Sequence, residues 1–176
     1  MSYRVRRAEP GDAEALVALA RAVTAEPGGW LLSEGGWRSV GDERRYVRAA
    51  RRSSDAAVLL AEAPGGEIIG RLSLARDPHP ASPHVADLGL MVAAEHRRRG
   101  VGRALLAAAV DWARAQDVRK LELHVFPHNE PAIALYESFG FRHEGLRREH
   151  YRRATGYVDA VLMAYDVPSS GPEKRP

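Results

Sequence analysis

Leu88-Gly89-Leu90-Met91-Val92-Ala93-Ala94-Glu95-His96-Arg97-Arg98-Arg99-Gly100-Val101-Gly102-Arg103-Ala104-Leu105-Leu106 is the stretch that decides the fold. It opens inside an apolar run, Val85–Ala93, of strand character, and closes inside a helical pattern, Arg99–Gln116, with Leu105, Leu106, Ala109, Trp112 and Ala113 on one face. Between them lies a basic turn bearing two glycines. The start of a helix exposes unpaired N–H groups and the positive end of its dipole, and glycine lets the backbone approach a ligand. Strand, basic glycine turn and helix therefore predict an anion site suited to a pyrophosphate. Two familiar anion loops do not fit. The P-loop needs Gly-Lys-Ser/Thr, which is absent, and the dinucleotide fingerprint needs a third glycine where Leu105 stands.

Toward the N-terminus, Tyr3–Arg7 reads as a strand, and Asp12 is placed to cap a helix carrying Leu16, Val17, Leu19 and Ala20. Pro27–Gly41 is a glycine-rich loop holding Trp30, Leu31, Leu32 and Trp37, a candidate pocket wall or core lid, and Asp42–Arg52 a second helix. Ala56–Ala63 and Glu67–Ala75 flank Pro64-Gly65-Gly66 as a hairpin. A Pro/His-rich loop, Arg76–Pro83, leads into the decisive strand. Beyond the long helix come a strand at Lys120–Val125, a helix at Pro131–Phe139 ending at Gly140, and a hairpin of Phe141–Arg153 and Tyr157–Val167. The order β-α-α-β-β-β-α-β-α-β-β predicts parallel pairing around the long helix and antiparallel pairing elsewhere.

A second segment sharpens the reading: Asn129-Glu130-Pro131-Ala132-Ile133-Ala134-Leu135-Tyr136-Glu137-Ser138-Phe139-Gly140-Phe141. It resembles the Asn-x-x-Ala-x-x-Leu-Tyr-x-x-x-Gly-Phe signature of the GNAT N-acetyltransferases. Arg97-x-x-Gly100-x-Gly102 matches the Arg/Gln-x-x-Gly-x-Gly/Ala loop of the same superfamily, and the resemblance covers Val85 to Phe141. It implies a GNAT fold: an α/β domain over residues 1–167, with a mixed, splayed sheet of about seven strands and helices on both faces. It implies acetyl-CoA as cosubstrate, bound by Arg97, Arg98, Arg99, Gly100, Val101, Gly102, Arg103, Asn129 and Tyr136. The backbone N–H of Met91 or Val92 would polarise the thioester carbonyl where the fourth and fifth strands part. Asn129 precedes a helix, so its side chain either caps the backbone or contacts the pantetheine arm. Tyr136 is placed as proton donor to the departing thiolate, against the alternative of a half-buried core tyrosine.

An amine attacks a thioester only when neutral, so a base is useful. Alternation sets Glu122 and His124 on one face of their strand, opposite Leu121, Leu123 and Val125. Asp87 falls on the matching face of the preceding strand. His124 stands twelve residues before Tyr136, where ribosomal-protein alanine N-acetyltransferases carry a glutamate base. Asp87 stands roughly where histone acetyltransferases carry theirs. The order of preference is His124, Glu122, Asp87. His79 and His84 belong to a loop that could shape the acceptor site, with no metal-ligand spacing. The Leu135-Tyr136 form and Gly156-Tyr157-Val158-Asp159 resemble bacterial amino-acid or ribosomal-protein acetyltransferases rather than the phosphinothricin type. The implied acceptor is a primary amine of a small molecule, amino acid or protein N-terminus.

Composition sets the outer bounds. The 176 residues suit a single core. Cysteine is absent, which excludes disulfides and thiol catalysis and agrees with a cytoplasmic location. No run approaches the roughly 20 apolar residues of a membrane span, and the N-terminus lacks the apolar stretch of a secretory signal. The net charge is +3, and Lys120 and Lys174 are the two lysines, so arginine carries the basicity. Two other classes stay open: an acyl-CoA-binding regulatory domain without turnover, and an arginine-driven nucleic-acid-binding module, for which no recognition motif is present. The charged last hairpin suits an edge strand guarded against aggregation. A homodimer stays open, and 168–176 reads as a disordered tail.

Overall fold

The computed structural model describes residues 2–31 and 37–168, so Leu32, Gly35 and Gly36 of the glycine-rich loop, and the tail beyond Pro168, lie outside the described residues. The elements are β1 (Arg4–Arg7), α1 (Ala13–Thr24), α2 (Val40–Arg52), β2 (Ala56–Glu62), β3 (Ile68–Arg76), β4 (Val85–Val92), α3 (Val101–Ala115), β5 (Lys120–Val125), α4 (Glu130–Phe139), β6 (Arg142–Arg153) and β7 (Gly156–Asp166). This is the expected order, with ends moved by a residue or two.

The seven strands form one sheet in the order β1-β2-β3-β4-β5-β7-β6. Only β4 and β5 run parallel, joined through α3; the other neighbours are antiparallel. The parallel pairing is short. It covers Val85↔Lys120, Ala86↔Leu121 and Asp87↔Glu122. Beyond Asp87, β4 continues against β3 alone, and beyond Glu122, β5 continues against β7 alone. The two strands therefore part, as the resemblance implied.

Helices cover both faces because alternation gives each strand two apolar sides. On one face Leu105, Leu106, Ala109 and Ala113 of α3 pack on Leu72, Leu74, Leu88, Leu121 and Leu123. On the other, Leu16, Ala20 and Val23 of α1 and Val47 and Ala50 of α2 pack on Val58, Leu60 and Met91. Each fully buried leucine contributes about 1.5–3 kcal/mol. Leu88 and Met91 thus face opposite ways along β4, and Asp87, an even step from Gly89 and Met91, shares the α1/α2 side.

One local expectation needs correction. Asp12 makes no side-chain cap on α1. Its carboxylate instead accepts the Glu9 N–H at 2.7 Å and a two-pronged bond from Arg6, at 2.7 and 2.8 Å, because a guanidinium on β1 satisfies both oxygens at once. The helix α2 buries a charged residue beside Val47 and Ala50. Glu43 is fully buried and accepts from Arg71 Nη2 at 3.3 Å and Trp37 Nε1 at 3.1 Å. Removing one partner of such a pair costs about 3–5 kcal/mol, since the other charge is stranded.

Candidate active site

A cleft of about 740 Å³ opens on the α3/α4 side, floored by β4 at Leu90–Val92 and walled by the Arg97–Arg103 turn, α4, and Trp30 and Leu31 from the connection after α1. A one-turn 3-10 helix at Ala94–His96 bends the chain out of β4. Arg98 (φ 59°) and Gly100 (φ 82°) then take left-handed backbone, and α3 begins. Only glycine adopts that conformation freely. The first main-chain bond of α3 runs from Ala104 N to Gly100 O at 3.0 Å. The N–H groups of Val101, Gly102 and Arg103 have no carbonyl one turn back and sit at the positive end of the dipole.

The arginines of this turn do different things. Arg97 donates from Nη1 and Nη2 to both oxygens of Glu26, at 2.7 and 2.6 Å, and from Nε to Val92 O at 3.0 Å. Arg103 donates to Ser138 O at 3.1 Å and lies over the Phe139 ring, joining α3 to α4. Arg98 lines the cleft with an exposed side chain; Arg99 lies outside that lining.

Strand parity resolves the choice between Met91 and Val92. Ala93 N donates to Ile69 O at 3.0 Å, toward β3. Residues two apart share that direction in an antiparallel pair, so the Met91 N–H also turns to β3. Leu90 and Val92 point theirs into the gap beside β5. Of the two candidate donors, the N–H of Val92 therefore faces the gap, while that of Met91 is directed to β3.

On α4, Asn129 Oδ1 accepts the Ala132 N–H at 3.3 Å, so the side chain caps the helix while lining the cleft. Gly140 ends the helix in left-handed backbone. Tyr136 is 6% exposed, its ring against Phe141 at 5.6 Å, and it lines the cleft. Its hydroxyl has no hydrogen-bond partner among the described residues. Burial pushes the phenol well above its ordinary 10, so it keeps its proton.

The three base candidates come together, on the other face of the sheet. Asp87 and Glu122 are register partners at the last paired position before the strands part. Burial pushes the Asp87 carboxyl up, with Glu122 and Asp77 reinforcing it and Arg147 opposing. Glu122 accepts from Lys120 Nζ at 2.7 Å. His124 Nδ1 lies 2.8 Å from Tyr151 Oη, and the His150 ring stands edge-on at 5.3 Å. Burial lowers the imidazole below 6.5, Arg147 and His150 lower it further, and Glu122 opposes them. None of Asp87, Glu122 and His124 lines the cleft that holds Tyr136. The acid and base candidates stand on opposite sides of the opening between β4 and β5.

Several residues of the site were not legible in the sequence. Arg153 lies 4.5 Å from the Phe126 ring centre and donates to Gly29 O at 3.0 Å and to Leu31 O. His128 stacks on Phe126 at 5.3 Å with Nε2 3.2 Å from Gly28 O, and Trp30 Nε1 donates to Glu26 at 2.8 Å. Together they fasten the start of the glycine-rich loop to β5 and β6. Arg153 and Tyr151 sat hidden in a charged strand that read as solvent-facing. His79 Nδ1 accepts the Ala81 N–H within its own loop, and the His84 carbonyl accepts from Arg119 and Lys120. Glu67, Glu95 and His96 bring three potential ligand atoms within 4.8 Å, two of them on exposed carboxylates. Among the described residues, no helix is long and apolar enough to cross a membrane.

Residues 28–141 match the model of the acetyltransferase (GNAT) family. An L-amino acid N-acetyltransferase of Escherichia coli (strain K12) is 37% identical over 103 residues, 56% of this chain and 62% of that protein. A [ribosomal protein bS18]-alanine N-acetyltransferase of Salmonella typhimurium (strain LT2) is 42% identical over 73 residues, 42% of this chain and 49% of that protein. The matches thus span about half to three fifths of those relatives' length. The crystal structure of a GNAT-family acetyltransferase from Streptococcus pneumoniae superposes with a TM-score of 0.85 at 28% identity, covering 95% of this chain and 100% of that one.

Proposed function

The chain belongs to the GNAT acetyltransferase family, and from that premise we propose that it is an N-acetyltransferase moving acetyl from acetyl-CoA directly to a primary amine. The observation that carries this is the continuity of one cleft: the anion-binding turn at Arg97–Gly102 leads along Leu90–Val92 to the gap where β4 leaves β5. Free amides at a helix start fit a pyrophosphate, and a strand with outward N–H groups fits an amide-bearing arm. When bound, acetyl-CoA supplies an acetyl thioester, and the rest is done by this chain. Val101, Gly102 and Arg103 offer amides to the phosphates, with Arg98 adding charge. The Val92 N–H is aimed where negative charge develops on a carbonyl oxygen. Tyr136, which lines the cleft, holds a proton at Oη, ready for a leaving thiolate. His124, neutral at pH 7, accepts the amine proton on the far side of the gap, with Glu122 and Asp87 beside it.

The amines put first are α-amino groups, of free amino acids or of a protein N-terminus, because both curated relatives carry such activities in their names. A cytoplasmic location and a homodimeric state belong to the same proposal, and sedimentation tests the second. The deciding experiment is a thiol-release screen over amino acids, polyamines and N-terminal peptides. Release with an α-amine supports the reading. Acetyl-CoA binding with no release for any amine replaces it with a regulatory binder. Salt-dependent DNA binding without acetyl-CoA binding replaces it with a nucleic-acid module.

A further inference from the structure

β7 lies between β6 and β5, yet two adjacent β6 residues reach the His124 ring. His150 stands edge-on to it at 5.3 Å, and Tyr151 Oη lies 2.8 Å from Nδ1. In a regular strand neighbouring side chains point to opposite faces, so both could not do so. The cause is a bulge. The β6–β7 register shifts between Arg147 and Tyr151, and Glu149 takes left-handed backbone (φ 48°). Its N–H is pinned by Asp159 Oδ1 at 2.7 Å. A non-glycine residue in that region is strained, and bulges that re-aim a side chain recur beside active sites.

We infer that the Glu149 bulge exists to deliver Tyr151 to His124 as a positioning residue, its oxygen accepting the Nδ1–H so that Nε2 presents its lone pair to the amine. The inference rests on the acetyltransferase reading for its use, though not for its geometry. In a neutral imidazole one nitrogen donates and the other accepts, and the partner of Nδ1 decides which. Tyr151 could donate or accept. Tyr151 lies within electrostatic reach of Asp87 as well as Arg147; a carboxylate there favours a hydroxyl hydrogen turned toward it, an orientation that leaves the oxygen lone pairs for Nδ1–H. The charged and titratable neighbours of the ring are Glu122 on its own strand and Arg147, His150 and Tyr151 on β6, with Asp87 on β4 acting on Tyr151; its β7 partner, Leu162, is apolar. Burial, then Arg147 and His150, favour the neutral ring, and Tyr151 selects the tautomer.

The test reads the tautomer directly. Imidazole nitrogen-15 shifts of the full chain, assigned to His124 by comparison with H124A, should show a protonated Nδ1 and a lone-pair Nε2 above pH 7. Tyr151→Phe, which keeps the ring and removes the oxygen, should return His124 toward the commoner Nε2–H form. It should also lower kcat/KM about fivefold, the effect of one lost hydrogen bond, with acetyl-CoA affinity unchanged. A wild-type Nε2–H tautomer, or shifts unaltered in Tyr151→Phe, would overturn the inference whatever the enzyme turns over. The expected tautomer in a protein that releases no thiol with any amine would uphold the positioning and sink the transferase reading alone.

Discussion

Arg97 and Glu26, 71 residues apart in the chain, meet in a two-pronged ion pair of 2.7 and 2.6 Å. One partner sits on the Arg97–Gly102 turn before α3. The other follows α1, where it also holds the Trp30 indole. The basic residue that marks the cofactor motif is therefore committed to a structural bond that closes one wall of the cleft. With side-chain exposures of 35% and 20%, the pair is partly solvated and contributes about 1 kcal/mol. Glu26→Gln should lower the unfolding free energy by that order in a urea titration. By loosening the Trp30–Leu31 wall and the Arg97 turn of the same cleft, it should weaken acetyl-CoA binding about threefold to tenfold by calorimetry, the equivalent of roughly 1 kcal/mol. Unchanged acetyl-CoA affinity would remove the loop from the cofactor cleft.

Gly102 has two reasons to lack a side chain. A Cβ there would sit 2.8 Å from Leu135 Cδ2, and its amide lies at the helix start facing the cleft. The leucine methyl group can give way, and alanine regains about 1 kcal/mol of helix propensity. Gly102→Ala, which the Gly/Ala form of the motif allows, should thus leave both the urea midpoint and acetyl-CoA affinity nearly unchanged. Gly102→Val adds a branched side chain that blocks approach to the helix-start amides and should weaken acetyl-CoA binding about tenfold or more by calorimetry. Full affinity in a folded Gly102→Val protein would move the pyrophosphate elsewhere.

Tyr136→Phe removes an oxygen with no hydrogen-bond partner among the described residues, so stability should hold within about 0.5 kcal/mol. If the phenol protonates the thiolate, kcat should fall roughly 10- to 1000-fold with acetyl-CoA affinity retained. Equal kcat in variant and wild type would make Tyr136 a core residue.

His124 carries the pH dependence. Burial, then Arg147 and His150, hold its folded value below 6.5, with Glu122 pulling the other way. The low-pH limb of kcat/KM should therefore lie below 6.5, and Arg147→Ala should raise it. His124→Ala should abolish it. The same lowering makes a stability statement. The unfolded chain takes up this proton near pH 6.5 and the folded chain only at lower pH, so the contribution is complete above 6.5 and is lost as pH falls toward the folded value. His124→Ala should flatten that part of the curve in urea titrations between pH 5 and 7. An unaltered rate profile, with turnover lost instead in Glu122→Gln or Asp87→Asn, would hand the proton to a carboxylate.

The sequence by itself determined the element order, the parallel β4–β5 unit, the anion turn and the Tyr136 helix. These rest on local rules: the period of apolar residues, glycine where backbone must turn left-handed, and a helix start whose amides need a partner. It also placed Asp87, Glu122 and His124 on one face, because alternation along a strand is a property of the strand. Only the tertiary structure decided what those groups touch. Val92 rather than Met91 faces the gap because of hydrogen-bond parity with β3, which depends on a register set by packing. Arg97 is bound by Glu26, Arg153 by the carbonyls of Gly29 and Leu31, and His124 by Tyr151 across an intervening strand. Each of these joins elements far apart in the chain. The last depends on a bulge at Glu149, a residue whose type gives no local reason for left-handed backbone. Composition and period carry no record of such contacts, since they are selected by where whole elements come to rest against each other.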